Sequence, residues 1–179
     1  MITFTARTLF QLAAGILRPV TVSSSKKSVD VAFRCYPVDM DTYMHMNNAC
    51  YLRVAELSRW RIFPATGLLS ASIKEGMMFL AVDQHVKYLK PIKPFQRYVV
   101  ETTCDVYKDD KWQWYKHTFV QHPDDVKPGQ EPHTYAEINL RAVLKAGSGK
   151  TIPPSSLMGK AKFYDELFSM HPDTAKSVN

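Results

Sequence analysis

The stretch DMDTYMHMNNACY, Asp39–Tyr51, gathers two carboxylates, a histidine and two adjacent asparagines within one short segment. Directly after it, apolar residues recur at intervals of three and four, which is the pattern of an amphipathic helix. The first turn of a helix leaves backbone N–H groups without partners and carries partial positive charge, so it can stabilise a developing oxyanion. The segment therefore places polar side chains where a reacting carbonyl can be polarised.

Asp41 and Asn48 are the two residues of this segment with the most direct chemical roles. A carboxylate just before a helix can act as a nucleophile or as a general base for water. An amide N–H at the helix start can polarise a carbonyl from the other side, and the two groups together are enough to hydrolyse a thioester. The structural alternative is that Asp41 forms a turn or caps the helix, as loop carboxylates commonly do.

The neighbouring polar residues also have structural interpretations. Asp39 is expected to form a turn after Pro37. His45 can orient Asp41, donate a proton or bond a backbone carbonyl. Asn47, like the asparagine after it, can cap the helix without any further role.

Glu56 is the acidic residue within the predicted helix. If it faces the sheet, its burial is costly unless the carboxylate has a partner. If it is exposed, pairing with Arg53 or Arg59 explains it. Both interpretations stay open at the level of sequence.

The composition predicts one globular domain in a reducing, intracellular compartment, either the cytoplasm or the mitochondrion. The chain has 179 residues, of which 45% are hydrophobic, enough for a substantial core. Its three cysteines lack C-x-x-C spacing and its six histidines lack metal-ligand spacing, so we expect no disulfide framework, metal or other cofactor. The net charge of +6 suits an anionic partner, but the basic residues are scattered, which argues against nucleic acid.

The first 28 residues form a segment distinct from the predicted domain, and they contain no acidic residue. This composition resembles that of a mitochondrial presequence. The apolar run Leu9–Leu17 is short and is broken by Gln11, so it does not indicate a membrane span. We favour a helix that packs on the domain, with a presequence and an anchor to a membrane surface as alternatives. The basic residues of the segment are Arg7, Arg18, Lys26 and Lys27.

Hydrophobic periodicity predicts one strand, one long helix and then four strands. The helix begins near Asn48 and ends near Pro64 and Gly67. A Gly- and Pro-rich linker precedes a short terminal helix, Lys160–Met170. The predicted strands are Val29–Cys35, Met78–Tyr88, Arg97–Tyr107, Trp112–Gln121 and Thr134–Leu144.

This order of elements predicts an α+β domain over residues 29–145, followed by the linker and helix at 146–179. Consecutive strands with tight connections favour an antiparallel sheet. The one long helix must cover that sheet, because neither element can bury its apolar face alone. One central helix wrapped by an antiparallel sheet of about five strands is the hot-dog fold.

A known family carries a similar motif. The pattern D-x-x-x-H-x-N-N-x-x-Y resembles the signature of hot-dog acyl-CoA thioesterases of the hydroxybenzoyl-CoA thioesterase type. Its continuation YLRVAELSRW is similar to the thioesterase-superfamily member-six branch, and VKYLKPI resembles the strand end that follows. The resemblance covers about residues 29–144. The motif residues are Asp41, His45, Asn47, Asn48 and Tyr51.

The resemblance implies hydrolysis of a fatty or aromatic acyl-CoA, or of an acyl-carrier thioester, to the free acid and thiol. It implies a homodimer or a dimer of dimers with sites at the subunit interface. Asp41 is then the catalytic base or nucleophile, Asn48 supplies the polarising N–H, and His45 is a third catalytic candidate. The predicted substrate-binding residues are Asn47, Tyr51, Glu56, Lys87 and Lys90, with the lysines directed to CoA phosphates.

Two other functions are compatible with the same fold. One is a non-catalytic protein that binds or presents acyl-CoA or lipid. The other is a membrane-associated lipid-handling protein that uses the N-terminal segment. A hot-dog hydratase is disfavoured, because Asp41 and His45 do not have the D-x-N-P-x-H spacing.

Overall fold

The computed structural model describes residues 2–17, 20, 22–23, 27–65, 67–107, 110–157 and 168–171. The α-helices are α1 (Ile2–Leu17), α2 (Asn48–Ala65) and α3 (Leu68–Glu75). The strands are β1 (Val22–Ser23), β2 (Ser28–Arg34), β3 (Met78–Tyr88), β4 (Arg97–Tyr107), β5 (Gln113–Gln121), β6 (Thr134–Lys145), β7 (Thr151–Ile152) and β8 (Phe168–His171). Short 3-10 helices occupy Pro37–Asp39, Pro123–Asp125 and Pro154–Leu157.

The strands form one sheet in the order β1-β2-β4-β5-β6-β3. Its five long strands pair antiparallel with their neighbours, and the apolar side of α2 is buried against them. The predicted α+β hot-dog arrangement is therefore confirmed. β7 pairs antiparallel with β6, while β8 pairs parallel with β4.

The core lies between α2 and the inner face of the sheet. Strand alternation sets this face: Val29 and Val31 of β2 are buried, whereas Asp30 and Ala32, which alternate with them, are exposed. The period of two puts every second side chain against the helix. The buried positions of α2 return at helical spacing and are Cys50, Tyr51, Val54, Ala55, Leu57, Ser58, Arg59, Ile62 and Phe63.

α1 packs against α2 on the side away from the sheet's inner face. A Cβ atom at Gly15 would lie 2.5 Å from the carbonyl oxygen of Arg61, so only glycine permits this backbone approach. The described residues contain no helix that is both long enough and apolar enough to cross a membrane. A role of this segment as a presequence or an anchor stays a prediction.

Three features differ from the sequence prediction. Lys160–Met170 was predicted as a helix, but Phe168–His171 is strand β8, and residues 158–167 lie outside the described part of the chain. Helix α3 was not predicted. Strand β3 pairs with β6 at the far edge and not with β4, which follows it in sequence.

Candidate functional site

A tight loop joins the 3-10 helix to the start of α2. An isolated bridge between Met40 and Met46 closes it, and the Asp41 N–H donates to the His45 carbonyl over 3.0 Å. The Met46 N–H donates to the Ile92 carbonyl over 2.9 Å, which ties the loop to the connection between β3 and β4. The loop is therefore a fixed element held against the helix start.

Asp41 and His45 both lie half-buried on this loop. Asp41 Oδ1 accepts the backbone N–H of Tyr43 over 2.9 Å, which is the turn-forming role considered from the sequence. Asp41 Oδ2 and the His45 ring have no hydrogen-bonding partner among the described residues. One carboxylate oxygen is thus structural, and the other is open to a ligand.

Asp39 has a different environment, although it lies only two residues away. Its side chain is 4% exposed, and Oδ1 accepts a hydrogen bond from Arg7 of α1 over 2.5 Å. Oδ2 accepts the Tyr36 N–H over 3.1 Å, so Asp39 caps the 3-10 helix, in line with the turn role expected for it. Both carboxylate oxygens thus have internal partners, and the bond to Arg7 connects α1 to the loop.

The start of α2 is capped by Asn47. Its Oδ1 accepts the Ala49 N–H over 2.9 Å, whereas the Asn48 side chain is exposed. The Asn48 N–H, the first of the helix, has no acceptor within the described ranges. Tyr88 of β3 donates its hydroxyl hydrogen bond to the Asn48 carbonyl over 3.1 Å. The first helical turn therefore presents one unused N–H donor and is anchored to the edge strand.

Tyr51 is placed in the core. Its ring lies 5.2 Å from that of Tyr88 and 5.3 Å from that of Phe119, and burial raises its pKa to about 12. Its hydroxyl oxygen accepts the Ile92 N–H at 3.4 Å. These contacts give Tyr51 a packing role, and its predicted contact with substrate stays a prediction.

The other predicted binding residues form no described hydrogen bond with the loop. Glu56 is half-buried, and its Oε1 accepts the indole N–H of Trp60 at 3.4 Å. Lys87 and Lys90 are exposed, at the end of β3 and just beyond it. Lys90 Nζ lies 3.2 Å from His133 Nδ1. The structure thus brings together Asp41, His45, Asn47 and Asn48 in one loop and helix start, and leaves both lysines at the surface.

A second polar cluster, not predicted from the sequence, lies beneath the middle of α2. Arg59 approaches His117 Nε2 at 3.0 Å, and His117 Nδ1 lies 3.0 Å from the Thr102 hydroxyl. The Thr102 hydroxyl in turn lies 3.1 Å from that of Ser58. Because arginine can only donate, Nε2 accepts and Nδ1 carries the proton. The alternation of residues along β4 and β5 indicates which side chains face inward. It does not show that the polar side chains Thr102 and His117 form a hydrogen bond with each other.

The buried histidine of this cluster is neutral. Burial and, next, the charge of Arg59 hold the pKa of His117 well below its usual range. Burial also lowers the pKa of Arg59. Within the described ranges no group of three or more His, Cys, Asp or Glu side chains could hold a metal ion.

The fold and the loop–helix site together define a hot-dog domain of the α+β class. The family model of the thioesterase-like superfamily matches residues 35–155, which include the loop, α2 and all strands from β3 to β7. The chain belongs to this superfamily.

Individual relatives agree with this assignment. Protein THEM6 of Xenopus laevis is 29% identical over 89 residues, which cover 50% of this chain and 42% of the relative. The match thus spans less than half of that curated relative.

Solved structures share the fold at low sequence identity. YbaW, a probable thioesterase from Escherichia coli, has a TM-score of 0.63 at 16% identity, covering 77% of this chain and 97% of its own. A variant of 4-hydroxybenzoyl-CoA thioesterase complexed with 4-hydroxybenzoyl-CoA has a TM-score of 0.63 at 15% identity. The match covers 80% of this chain and 99% of that thioesterase. The 1,4-dihydroxy-2-naphthoyl-CoA thioesterase Slr0204 from Synechocystis has a TM-score of 0.59 at 15% identity. The match covers 70% of this chain and 88% of Slr0204.

Proposed function

We propose that this protein is an acyl-CoA thioesterase that hydrolyses a fatty or aromatic acyl-CoA to the free acid and CoA. The observation that carries the proposal is one unused donor and one unused acceptor on the same short loop–helix unit: the Asn48 N–H and Asp41 Oδ2. Membership of the thioesterase-like superfamily supports it, as do structural neighbours that are CoA thioesterases.

In the proposed reaction the thioester carbonyl oxygen accepts the Asn48 N–H, where the helix dipole stabilises the negative charge of the tetrahedral intermediate. Asp41 removes a proton from water, or attacks the carbonyl carbon itself to give an anhydride that water then opens. The C–S bond breaks, and the CoA thiolate leaves and takes up a proton. His45, half-buried on the same loop, is the candidate donor of that proton.

The proposed assembly is a homodimer formed through the outer edge of β3. Within the described ranges β3 pairs only with β6, so its other edge presents unpaired backbone groups. Leu80 and Val82 on this strand are about half exposed. An antiparallel partner strand would cover them and bring Tyr88 and the Asn48 turn close to the interface.

The proposed assembly is tested with Leu80→Arg. The variant would bury an unpaired charge against the partner strand, so we expect a dimer for the wild type and a monomer for the variant in analytical ultracentrifugation. A wild-type chain that sediments as a monomer at micromolar concentration contradicts the interface.

The Asp41→Asn variant tests the chemistry. The amide keeps an acceptor for the Tyr43 N–H but is neither a base nor a nucleophile, so kcat should fall by about a hundredfold or more on the best acyl-CoA. Acyl-CoA binding, measured by calorimetry, should persist or tighten, because a negative charge beside an anionic ligand has gone. The melting temperature should stay within a few degrees of the wild type.

Asp39→Asn is the matched control, because it removes a carboxylate from the same segment. It loses the ion pair with Arg7, so stability should fall by about 1–3 kcal/mol, while kcat per folded molecule stays within about threefold of the wild type. Wild-type turnover by Asp41→Asn would show that Asp41 is a turn former only. A wild type that binds acyl-CoA without hydrolysing any chain length would show a binding protein.

A further inference from the structure

Helix α1 exposes one stripe of apolar residues on the side away from the protein. Ala6 and Ala13 are exposed, and so are the large apolar residues between and after them. These positions recur at three- and four-residue intervals and form one continuous stripe along the helix, here called the outer face. Its large members, with their exposed fractions, are Leu9 (61%), Phe10 (68%), Ile16 (60%) and Leu17 (78%).

The protein-facing side of α1 mixes the half-buried apolar residues Phe4 and Leu12 with polar and small residues. Arg7 pairs with buried Asp39, Gln11 is half-buried, and Gly15 is buried against α2. A surface helix of a globular protein ordinarily has a polar side towards water, whereas the side of α1 away from the protein is apolar. Exposing this stripe to water costs free energy, so the outer face requires a covering partner.

Charge around the outer face selects the partner. No acidic residue occurs before Asp30, and Arg34 and Arg61 line the grooves beside Phe10 and Leu17, with Asp30 as the acidic residue among that lining. A second copy would bring the same cations against each other, whereas an anionic lipid headgroup layer would neutralise them.

We propose that the outer face of α1 docks on an anionic phospholipid bilayer, with the helix lying in the plane of the surface. A helix of 16 residues is about 24 Å long, which suits an interfacial position. The apolar side chains enter the boundary between headgroups and acyl chains, and the exposed Arg34 meets a lipid phosphate. The Arg7–Asp39 pair and the close approach at Gly15 hold the domain to the surface through α1.

Vesicle flotation of the full-length chain tests the proposal. Phosphatidylcholine vesicles with about 30% phosphatidylserine should bind the protein, and vesicles of phosphatidylcholine alone should bind it several-fold less. Phe10→Gln together with Leu17→Gln should weaken binding about tenfold or more, because both apolar side chains leave the lipid.

Ile73→Gln is the matched control, since Ile73 is an apolar residue on helix α3 that is 75% exposed. Its binding should stay within about twofold of the wild type. Absence of wild-type binding to anionic vesicles overturns the proposal, as does equal binding by the double variant. A lipid-free oligomer that dissociates in the double variant would assign the outer face to a second copy and also overturn it.

A fluorescent label on α1 detects its contact with the bilayer without the Phe10 and Leu17 substitutions, which could destabilise the protein. Leu9→Cys can be labelled selectively with an environment-sensitive fluorophore, because Cys35, Cys50 and Cys104 are buried. The label should shift to a less polar environment when anionic vesicles are added. The same label on Ile73→Cys should not respond, and a silent label at Leu9 in vesicle-bound protein contradicts insertion of α1.

Discussion

The start of α2 and the middle of the same helix both carry polar clusters, yet only one of them can meet a ligand. At the start, Asp41 and Asn48 keep an open oxygen and an open N–H at the surface. In the middle, one Arg59 nitrogen and both ring nitrogens of His117 form hydrogen bonds within the buried cluster. The buried polar cluster therefore contributes to stability, whereas polar atoms without a partner on a fixed loop define a candidate site.

The buried cluster should show the largest effect on stability. His117→Leu leaves the Arg59 guanidinium without its acceptor in a dry interior, so the free energy of unfolding should fall by about 3 kcal/mol. The double change Arg59→Met with His117→Leu should recover much of this loss, because no charge remains unpaired. Urea unfolding curves measure both. A loss below about 1 kcal/mol for the single change contradicts the dependence of Arg59 on His117.

Acidification should act on the same cluster with a smaller effect. The pKa of His117 is well below its usual range in the folded protein, because of burial and the charge of Arg59. Below about pH 6.5 the unfolded chain takes up a proton at this histidine and the folded chain does not. His117 should therefore contribute a fall in stability of about 1.4 kcal/mol per pH unit in that range. Comparing wild type and His117→Leu between pH 7 and pH 5 isolates this contribution, and equal slopes contradict it.

The two asparagines at the helix start should differ by the smallest amount. Asn47→Ala removes the acceptor for the Ala49 N–H and should cost about 1 kcal/mol. Asn48→Ala changes an exposed side chain and keeps the N–H. The free energy of unfolding and the activation free energy of turnover should therefore each change by less than about 0.5 kcal/mol. Thermal unfolding and steady-state kinetics test the pair. A large loss of turnover in Asn48→Ala would show that its side chain, and not its backbone, contacts the substrate.

Local pattern was enough to predict most of the fold. The start of α2 at Asn48 and the bounds of β3 and β4 agree with the sequence analysis, and the other long strands agree to within one residue. Helical and strand periods are properties of neighbouring residues, so they are visible in the chain itself. The sequence offered Asn47 and Asn48 as caps of this helix, and the structure shows that Asn47 is the cap.

Contacts between distant residues could not be predicted in this way. Lys160–Met170 was predicted as a short terminal helix, but Phe168–His171 pairs with β4 along the edge that β2 leaves open after Thr102. The Arg7–Asp39 hydrogen bond joins residues from separate elements, and no sequence motif predicts it. The same holds for the meeting of Arg59 with His117, since each position alone is that of an ordinary inward-facing residue.

The pairing of β3 with β6 has a consequence for the order of folding. Met78 pairs with Lys145 and Tyr88 with Ala136, so β4 and β5 lie between the partners in sequence. The β4–β5 and β5–β6 pairs close short connections and can form early, whereas β3 must wait until a long loop closes. On the ribosome, β3 emerges before its partner exists and keeps its apolar residues unpaired until β6 arrives. Among the strands from β3 to β6, the last to join the sheet is thus the one whose outer edge forms the proposed dimer interface.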